Sequence, residues 1–147
     1  FTNSDFKKFH PSGSLGMKLR TAEDLMLTKN KIPFINENKK MKKALQICSK
    51  KKLGVLIVIN SKKKTTGIIT DGQIRRATQM NRSIHSFSVK KIMTRNPIKI
   101  EKETLAAKAL KIMSENKITS ICVYDKKNHN KTIGILHIHN ILDANIQ

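Results

Sequence analysis

The chain has 147 residues, 38% of them hydrophobic, which is enough for one ordinary domain or two small ones with a packed core. Two cysteines, Cys48 and Cys122, exclude a disulfide scaffold, and the longest apolar stretch, 53–59, is far shorter than the roughly 20 residues of a membrane-crossing helix. The net charge of +20 favours anionic partners.

The excess of basic residues has three explanations. Of the 30 basic residues only five are arginine, the better residue for gripping phosphate, and aromatic residues are 4% of the chain. The scattered lysines are therefore more typical of a solvated surface with the residue bias of an AT-rich genome than of a nucleic-acid interface. Attraction of small anionic ligands is the third explanation.

An internal repeat organises the chain. Residues 24–26, Asp-Leu-Met, match Lys-Ile-Met 67 positions later, and the Gly-Ile-Ile of residues 67–69 matches Gly-Ile-Leu at the same offset. Between these anchors, Ala44-Leu45 matches Ala109-Leu110 at an offset of 65. Anchors that return to one offset after compensating insertions indicate two copies of one folding unit.

Each copy contains the same predicted elements in chain order: an extended segment, a helix, a strand, a short strand and a last helix. In the first copy these are 32–35, 39–51, 55–59, 67–70 and 71–80, and in the second 98–100, 104–116, 120–124, 132–137 and 139–145. The first helix of each copy carries an apolar stripe, formed by Met41, Ala44, Leu45 and Cys48 and by Leu105, Ala109, Ile112 and Met113.

The predicted fold is α+β, with two β-α-β-β-α copies that cover each other about a pseudo-twofold axis. We expect a tail at 1–20, the first copy at 21–80, a connector at 81–88 and the second copy at 89–147. The chain begins with Phe1 and shows no signal peptide, so we expect a fragment of a longer protein from a reducing, cytoplasmic compartment.

The copies resemble CBS domains, whose pairs are called Bateman modules. The segment 67–74, Gly-Ile-Ile-Thr-Asp-Gly-Gln-Ile, carries the Gly-x-Ile-Thr-x-x-x-Ile pattern of that family. Three segments, 10–16, 70–76 and 136–140, are also similar in order and type to the C-terminal half of bacterial D-arabinose-5-phosphate isomerases. In those enzymes a sugar-isomerase (SIS) domain, which has no counterpart in these residues, precedes the CBS pair.

The second resemblance implies a parent that interconverts D-ribulose 5-phosphate and D-arabinose 5-phosphate for the synthesis of Kdo, an acidic sugar of lipopolysaccharide. It places His10 in the isomerase active site, where His10 acts only together with the SIS domain, so we expect this chain alone to be inactive. It also implies a homodimer of CBS pairs within a tetrameric parent, and no cofactor.

The CBS resemblance implies ligand clefts between the two copies, each walled by the start of a first strand and by the junction of a last strand with a last helix. In the first copy Asp71 follows Thr70 as a predicted N-cap, and the helix start offers free N–H groups for an anion, with Arg75 and Arg76 in the first turns. Simple helix capping, for Thr70 and Asp71, and a solvated face or ion pairs between subunits, for the arginines, are the alternatives.

In the second copy the equivalent residues are His137, His139 and Asn140. Two histidines at i, i+2 share one face of a strand, but the one nearby candidate for a third ligand, Asp143, is weak, so we predict no metal site. The histidines either bind a phosphate or a sugar carboxylate or serve only to cap the helix.

The CBS resemblance bears on the ligand as well. Modules that bind adenosine usually carry an aspartate where this chain has Gln73 and Asn140, so the resemblance favours AMP and ATP less than a nucleotide sugar acid such as CMP-Kdo. The leading hypothesis is a regulatory pair that senses an anionic nucleotide or nucleotide sugar. The alternatives are an oligomerisation module without a ligand and, less favoured, a basic module that binds nucleic acid.

Overall fold

The structure is a computed structural model that describes residues 19–51, 53–80 and 83–146. His10 and the rest of the predicted tail as far as residue 18 lie outside the described residues.

Each copy has the predicted β-α-β-β-α order, preceded by a one-turn helix. The first copy consists of α1 Ala22–Leu25, β1 Phe34–Asn36, α2 Met41–Lys51, β2 Val55–Ile59, β3 Thr65–Thr70 and α3 Asp71–Met80. The second consists of α4 Val89–Ile92, β4 Thr94–Arg95, β5 Lys99–Glu101, α5 Ala106–Asn116, β6 Ser120–Asp125, β7 Asn128–His137 and α6 Ile138–Ile146. Two 3₁₀ turns lie at Lys29–Lys31 and Ile84–Ser86. The mixed α and β fold class is confirmed.

The strands form two sheets, one for each copy. In the first sheet β2 lies between β1, which is parallel to it, and β3, which is antiparallel, and β4 adds to the free edge of β3. In the second sheet β6 lies in the same way between β5 and β7. The short strand β4 therefore carries the start of the second copy across to the first sheet.

The leading helix of each copy packs on the other copy. Ala22 of α1 is fully buried in the core of the second copy, and Val89 of α4 is fully buried in the core of the first. Backbone hydrogen bonds also join each leading helix to the other copy. The Ala22 N–H donates to the Thr104 carbonyl and the Val89 N–H donates to the Lys39 carbonyl, both at 2.7 Å. Each core is thus completed by a helix from the other half of the sequence.

The pseudo-twofold axis passes between two threonines. Thr65 and Thr132 stand 67 positions apart, the repeat offset, and their hydroxyl oxygens are 2.6 Å apart in a hydrogen bond that joins the copies. Equivalent atoms of a twofold pair can touch only near the axis.

A third core lies between the two sheets. Along β2, Leu56 and Val58 point into the first copy's own core, whereas Val55 and Ile57 point into the core shared with the second copy. The shared core, which we call the inter-copy core, has the buried members Ile32, Val55, Ile57, Cys122 and Ile135.

The prediction that every residue of the two apolar stripes is buried is wrong for Leu105. Leu105 is 46% exposed, because α5 begins at Ala106 and leaves Leu105 as its N-cap residue with extended backbone. Its predicted partners Ala109 and Met113 are fully buried.

Candidate functional site

The β3–α3 junction is closed by a capping box. Thr70 accepts a hydrogen bond from the Gln73 N–H at its hydroxyl (3.3 Å), and the Gln73 side-chain oxygen accepts one from the Thr70 N–H (2.9 Å). Thr70, and not Asp71 as predicted, is therefore the N-cap residue, since a threonine three residues before a glutamine satisfies two N–H groups reciprocally. Fewer free N–H groups remain at this helix start than the sequence suggests.

Gln73 is engaged at both ends of its amide. Besides the bond from Thr70, its nitrogen donates a short hydrogen bond to the Thr94 hydroxyl, on the strand that leads into the second copy. The amide that stands where the resemblance places an aspartate thus ties the two copies together at this junction.

Asp71 faces a groove within the first copy. Its carboxylate accepts a hydrogen bond from the Cys48 thiol at 3.0 Å, and its N–H donates to the Gly54 carbonyl at 3.0 Å. Burial, and then the bond to Asp71 and its charge, raise the pKa of Cys48 to about 12, so the thiol stays protonated. The groove has a volume of about 450 Å³ and is lined only by first-copy residues, Leu45, Cys48, Ser49, Gly54, Asp71 and Ile74.

The two arginines of α3 are exposed. Arg76 folds back over the first turn, where a Cβ on Gly72 would lie 3.2 Å from one of its guanidinium nitrogens. Within the described ranges no carboxylate forms an ion pair with Arg75 or Arg76. Arg76 therefore keeps a cation close to the capped junction.

The β7–α6 junction has the same architecture with different chemistry. His137 takes the place of Thr70, and its ring nitrogen Nδ1 accepts a hydrogen bond from the His139 N–H at 3.1 Å. The Asn140 side-chain oxygen accepts one from the His137 N–H at 2.9 Å, which matches the bond from Thr70 to Gln73. The structure thus brings His137, His139 and Asn140 together at the second junction.

The two histidines of this junction stack, with ring centroids 4.8 Å apart and planes 22° apart. Burial, with a smaller contribution from the charge of His139, lowers the pKa of His137 below its usual 6.5. A neutral His137 ring is also what the cap requires, since Nδ1 must be unprotonated to accept a bond. No group of three metal-ligating side chains forms in the part of the chain that the structure describes.

Ser120, which the sequence patterns did not single out, also lies at this junction. Ser120 begins β6, pairs with His137 across the strands and is 8% exposed, and its hydroxyl has no hydrogen-bond partner among the described residues. The available signal was a serine at the head of an apolar strand, at the position where the first copy has Val55.

A second polar chamber lies farther along β6, near the pseudo-twofold axis. It encloses about 130 Å³ and is lined by Thr65, Asn96, Pro97, Lys99, Cys122, Tyr124, His129, Asn130 and Thr132. The Lys99 ammonium lies 4.9 Å from the centre of the Tyr124 ring and donates to the His129 carbonyl. In the first copy the residues equivalent to Lys99, Cys122 and Tyr124 are the apolar Phe34, Ile57 and Ile59.

Comparisons with known proteins agree with this architecture. The chain is 34% identical over 147 residues to arabinose 5-phosphate isomerase KdsD of Salmonella typhimurium, a match that covers 99% of this chain and 44% of that protein. The chain thus spans less than half the length of the curated relatives that it matches. Among the described residues no helix is long and apolar enough to cross a membrane.

Solved structures share the fold at low identity. CBSX2 of Arabidopsis thaliana, in complex with AMP, aligns with a TM-score of 0.74 and 23% identity over 86% of this chain and 96% of that one. The CBS domain pair of protein MJ0100, in complex with 5′-methylthioadenosine and S-adenosyl-L-methionine, aligns with a TM-score of 0.75 and 22% identity over 85% and 94%. The CBS domain family model matches residues 22–79 and 89–146. With one match on each copy, this chain belongs to the CBS domain family as a tandem pair.

Proposed function

We propose that the chain is the ligand-sensing CBS pair of an arabinose 5-phosphate isomerase and that it binds an anionic nucleotide or nucleotide sugar between its two copies. The observation that carries the proposal is the pair of matching polar junctions, Thr70–Gln73 and His137–Asn140, beside the inter-copy core. Polar groups at the rim of a mostly apolar seam are the usual composition of a small-molecule site. The similarity to KdsD supports the parent activity.

Charge and fold relatives support a nucleotide as the ligand. The net charge of +20 creates a field that attracts anions, and Arg76 adds a cation at the first junction. The bound AMP, 5′-methylthioadenosine and S-adenosyl-L-methionine of the two solved relatives support a nucleoside part. Because Gln73 and Asn140 carry no charge, an acidic nucleotide sugar such as CMP-Kdo meets no carboxylate at either position.

The ligand acts on the parent by selecting one arrangement of the copies. A molecule that contacts both copies changes the equilibrium only if it binds one arrangement more tightly than another. The contacts that such a ligand would bias are those that join the copies, above all the bond between Gln73 and Thr94.

Titration calorimetry with CMP-Kdo, CMP, AMP and ATP tests the proposal. We expect a heat of binding for at least one of the four at physiological salt, with a single site per chain. The same titration at raised salt shows whether the affinity depends on charge alone, because purely electrostatic binding weakens steeply with salt. No heat from any of the four overturns the proposal.

A structural role is the second candidate. Helix α3 buries no residue fully, Met80 at its end is 88% exposed, and Leu142 on α6 is 40% exposed. These helix faces fit a second copy of the pair, which is the homodimer that the family resemblance implies. A stable dimer in sedimentation equilibrium, together with no heat from any nucleotide, would favour an oligomerisation module.

A further inference from the structure

The Ser120 hydroxyl is a buried polar group without a partner. The residue is 8% exposed, and its oxygen accepts and donates no hydrogen bond within residues 19–51, 53–80 and 83–146. A buried hydroxyl without a partner costs free energy, and native structures retain few such groups. Its presence at a candidate site indicates that the partner arrives from outside the chain.

The direction of the Ser120 side chain follows from strand alternation. Ile121 and Val123 point into the second copy's own core, and Cys122 points into the inter-copy core. Ser120 therefore faces the other copy, as Cys122 does, and lies beside the His137 side chain because the two residues are cross-strand neighbours.

The two junctions differ in how many polar groups they leave free. In the first copy the position of Ser120 holds Val55, which is 3% exposed, and the Gln73 nitrogen is bonded to Thr94. In the second copy the residue equivalent to Thr94, 67 positions earlier, is Leu27, whose side chain has no acceptor for the Asn140 nitrogen.

The second junction consequently keeps three polar groups for a ligand. They are the Ser120 hydroxyl, the His137 nitrogen Nε2 and the Asn140 side-chain nitrogen, none of which is bonded in the described part of the chain. At the first junction, by contrast, the Gln73 amide is bonded at both ends, and Val55 offers no hydroxyl.

We infer that the nucleotide of the proposed function occupies the second junction and that the Ser120 hydroxyl bonds an uncharged group of its nucleoside, either a base edge or a sugar hydroxyl. A phosphate at that depth would cost free energy, since its charge would be buried opposite a neutral hydroxyl. The phosphate stays at the rim, where His139 is exposed. This inference rests on the proposed function and specifies which cleft and which residue select the ligand.

Ser120→Ala tests the inference by calorimetry with adenosine, AMP, cytidine and CMP. For the nucleoside and the nucleotide of the base that binds, we expect the same loss of affinity, about fivefold to tenfold, because one hydrogen bond is lost in each case. The matched control is Val55→Ala, at the equivalent position of the first copy, which should leave both affinities within about twofold of the original chain.

Three results would overturn the inference. They are an unchanged affinity in Ser120→Ala while the original chain binds, a loss for the nucleotide but not for its nucleoside, and an equal loss in Val55→Ala. In all three the original chain still binds, so the proposed function survives. If the original chain binds none of the four probes, the titrations are repeated with CMP-Kdo and ATP, and if neither of these binds, the proposed function fails and this inference with it.

The ligand-free stability of Ser120→Ala gives a second test that needs no ligand. Because the hydroxyl is without a partner, its removal should leave the urea midpoint unchanged or raise it. A clear fall of the midpoint would mean that the hydroxyl has a partner in the free protein, and would overturn the inference.

Discussion

At the scale of single residues, the two junctions cap their helices with different side chains. The Thr70 hydroxyl accepts the hydrogen bond from the Gln73 N–H at every physiological pH. His137 can accept the hydrogen bond from the His139 N–H only while its Nδ1 is unprotonated. Burial keeps the pKa of His137 below 6.5, so the second junction carries a dependence on pH that the first does not.

We expect stability to decrease as the pH falls below about 6.5, the pKa of histidine in an unfolded chain. Between the folded and unfolded pKa values of His137, only the unfolded chain takes up a proton, so the contribution is present above this window and lost below it. His137→Thr, which copies the first junction, should lose less stability than the original chain between pH 7.5 and pH 5.5. Urea midpoints at the two pH values measure it.

The comparison of the two proteins removes the titration of carboxylates, which is common to both. An equal fall of the urea midpoint in the original chain and in His137→Thr would show that His137 does not couple protonation to stability.

At this scale the sequence was only partly informative. The resemblance named both junctions, and Thr70, Gln73, His137 and Asn140 do form the caps. It did not reveal that Asp71 turns to Cys48, because a carboxylate after a threonine looks like an N-cap until the glutamine at the third position is considered. Ser120 could not be found, since the absence of a partner for a hydroxyl is a property of the packed structure.

At the scale of elements, a glycine on each central hairpin admits the methionine that follows the exchanged helix. A Cβ on Gly67 would lie 2.6 Å from the Met93 sulfur and 2.7 Å from the Thr94 carbonyl oxygen. A Cβ on Gly134 would overlap the sulfur of Met26 and lie 2.8 Å from its Cγ. The first clash includes backbone, whereas the second involves only a flexible side chain.

Gly67→Ala should therefore destabilise more than Gly134→Ala, by about 3 against about 1 kcal/mol in urea unfolding. Met26→Ala should relieve most of the cost of Gly134→Ala in a double variant, because it vacates the overlapping atoms. Met93→Ala should relieve little of the cost of Gly67→Ala, since the Thr94 carbonyl stays in place. Equal costs for the two alanines, or full relief in both double variants, would contradict this account.

One ion pair joins each exchanged helix to the copy on which it packs, and the two pairs have their charges in opposite order. Lys90 of α4 lies 3.9 Å from Glu37 of the first copy, and Glu23 of α1 lies 3.7 Å from Lys102 of the second. The repeat makes Glu23 equivalent to Lys90, and Glu37 equivalent to Lys102. A helix docked on its own copy would place like charges together, so the reversal favours the exchange.

Lys90→Glu should cost about 0.5 to 1 kcal/mol of stability at low salt, because it sets two carboxylates against each other on a half-exposed surface. Adding Glu37→Lys restores opposite charges and should recover most of that loss. The double-mutant cycle, measured by urea unfolding at low and high salt, should show a coupling that shrinks as salt is added. A coupling of zero at low salt would show that this ion pair does not favour the exchange of the helices.

The order of elements was predictable because two patterns of apolar residues mark it. Apolar spacings of three and four gave α2 and α5, and the continuous apolar runs gave β2 and β6. The exchange of α1 and α4 was not predictable in the same way, since a repeat gives the shape of each unit but not which unit a four-residue helix covers. Nor did the repeat indicate that β4 joins the first sheet.

At the scale of the whole molecule, the exchange makes each half an incomplete fold. The first copy's core contains Val89 and Met93 from the second half of the sequence, and the second copy's core contains Ala22 from the first half. The inter-copy core and the bond between Thr65 and Thr132 join the same two halves. Neither copy can lose its structure without exposing apolar surface of the other.

The pair should consequently unfold in one cooperative transition. Tyr124, the single tyrosine of a chain without tryptophan, reports on the second copy by fluorescence, and far-ultraviolet circular dichroism reports on both copies. Met93→Ala removes apolar atoms from the first copy's core and should cost about 2 to 3 kcal/mol. We expect it to lower the urea midpoint equally by both signals without changing the slope of the transition, because the copies unfold together. If the Tyr124 transition stayed in place while the dichroism became biphasic, the copies would be independent, and a ligand between them could not report to the rest of the parent through their shared core.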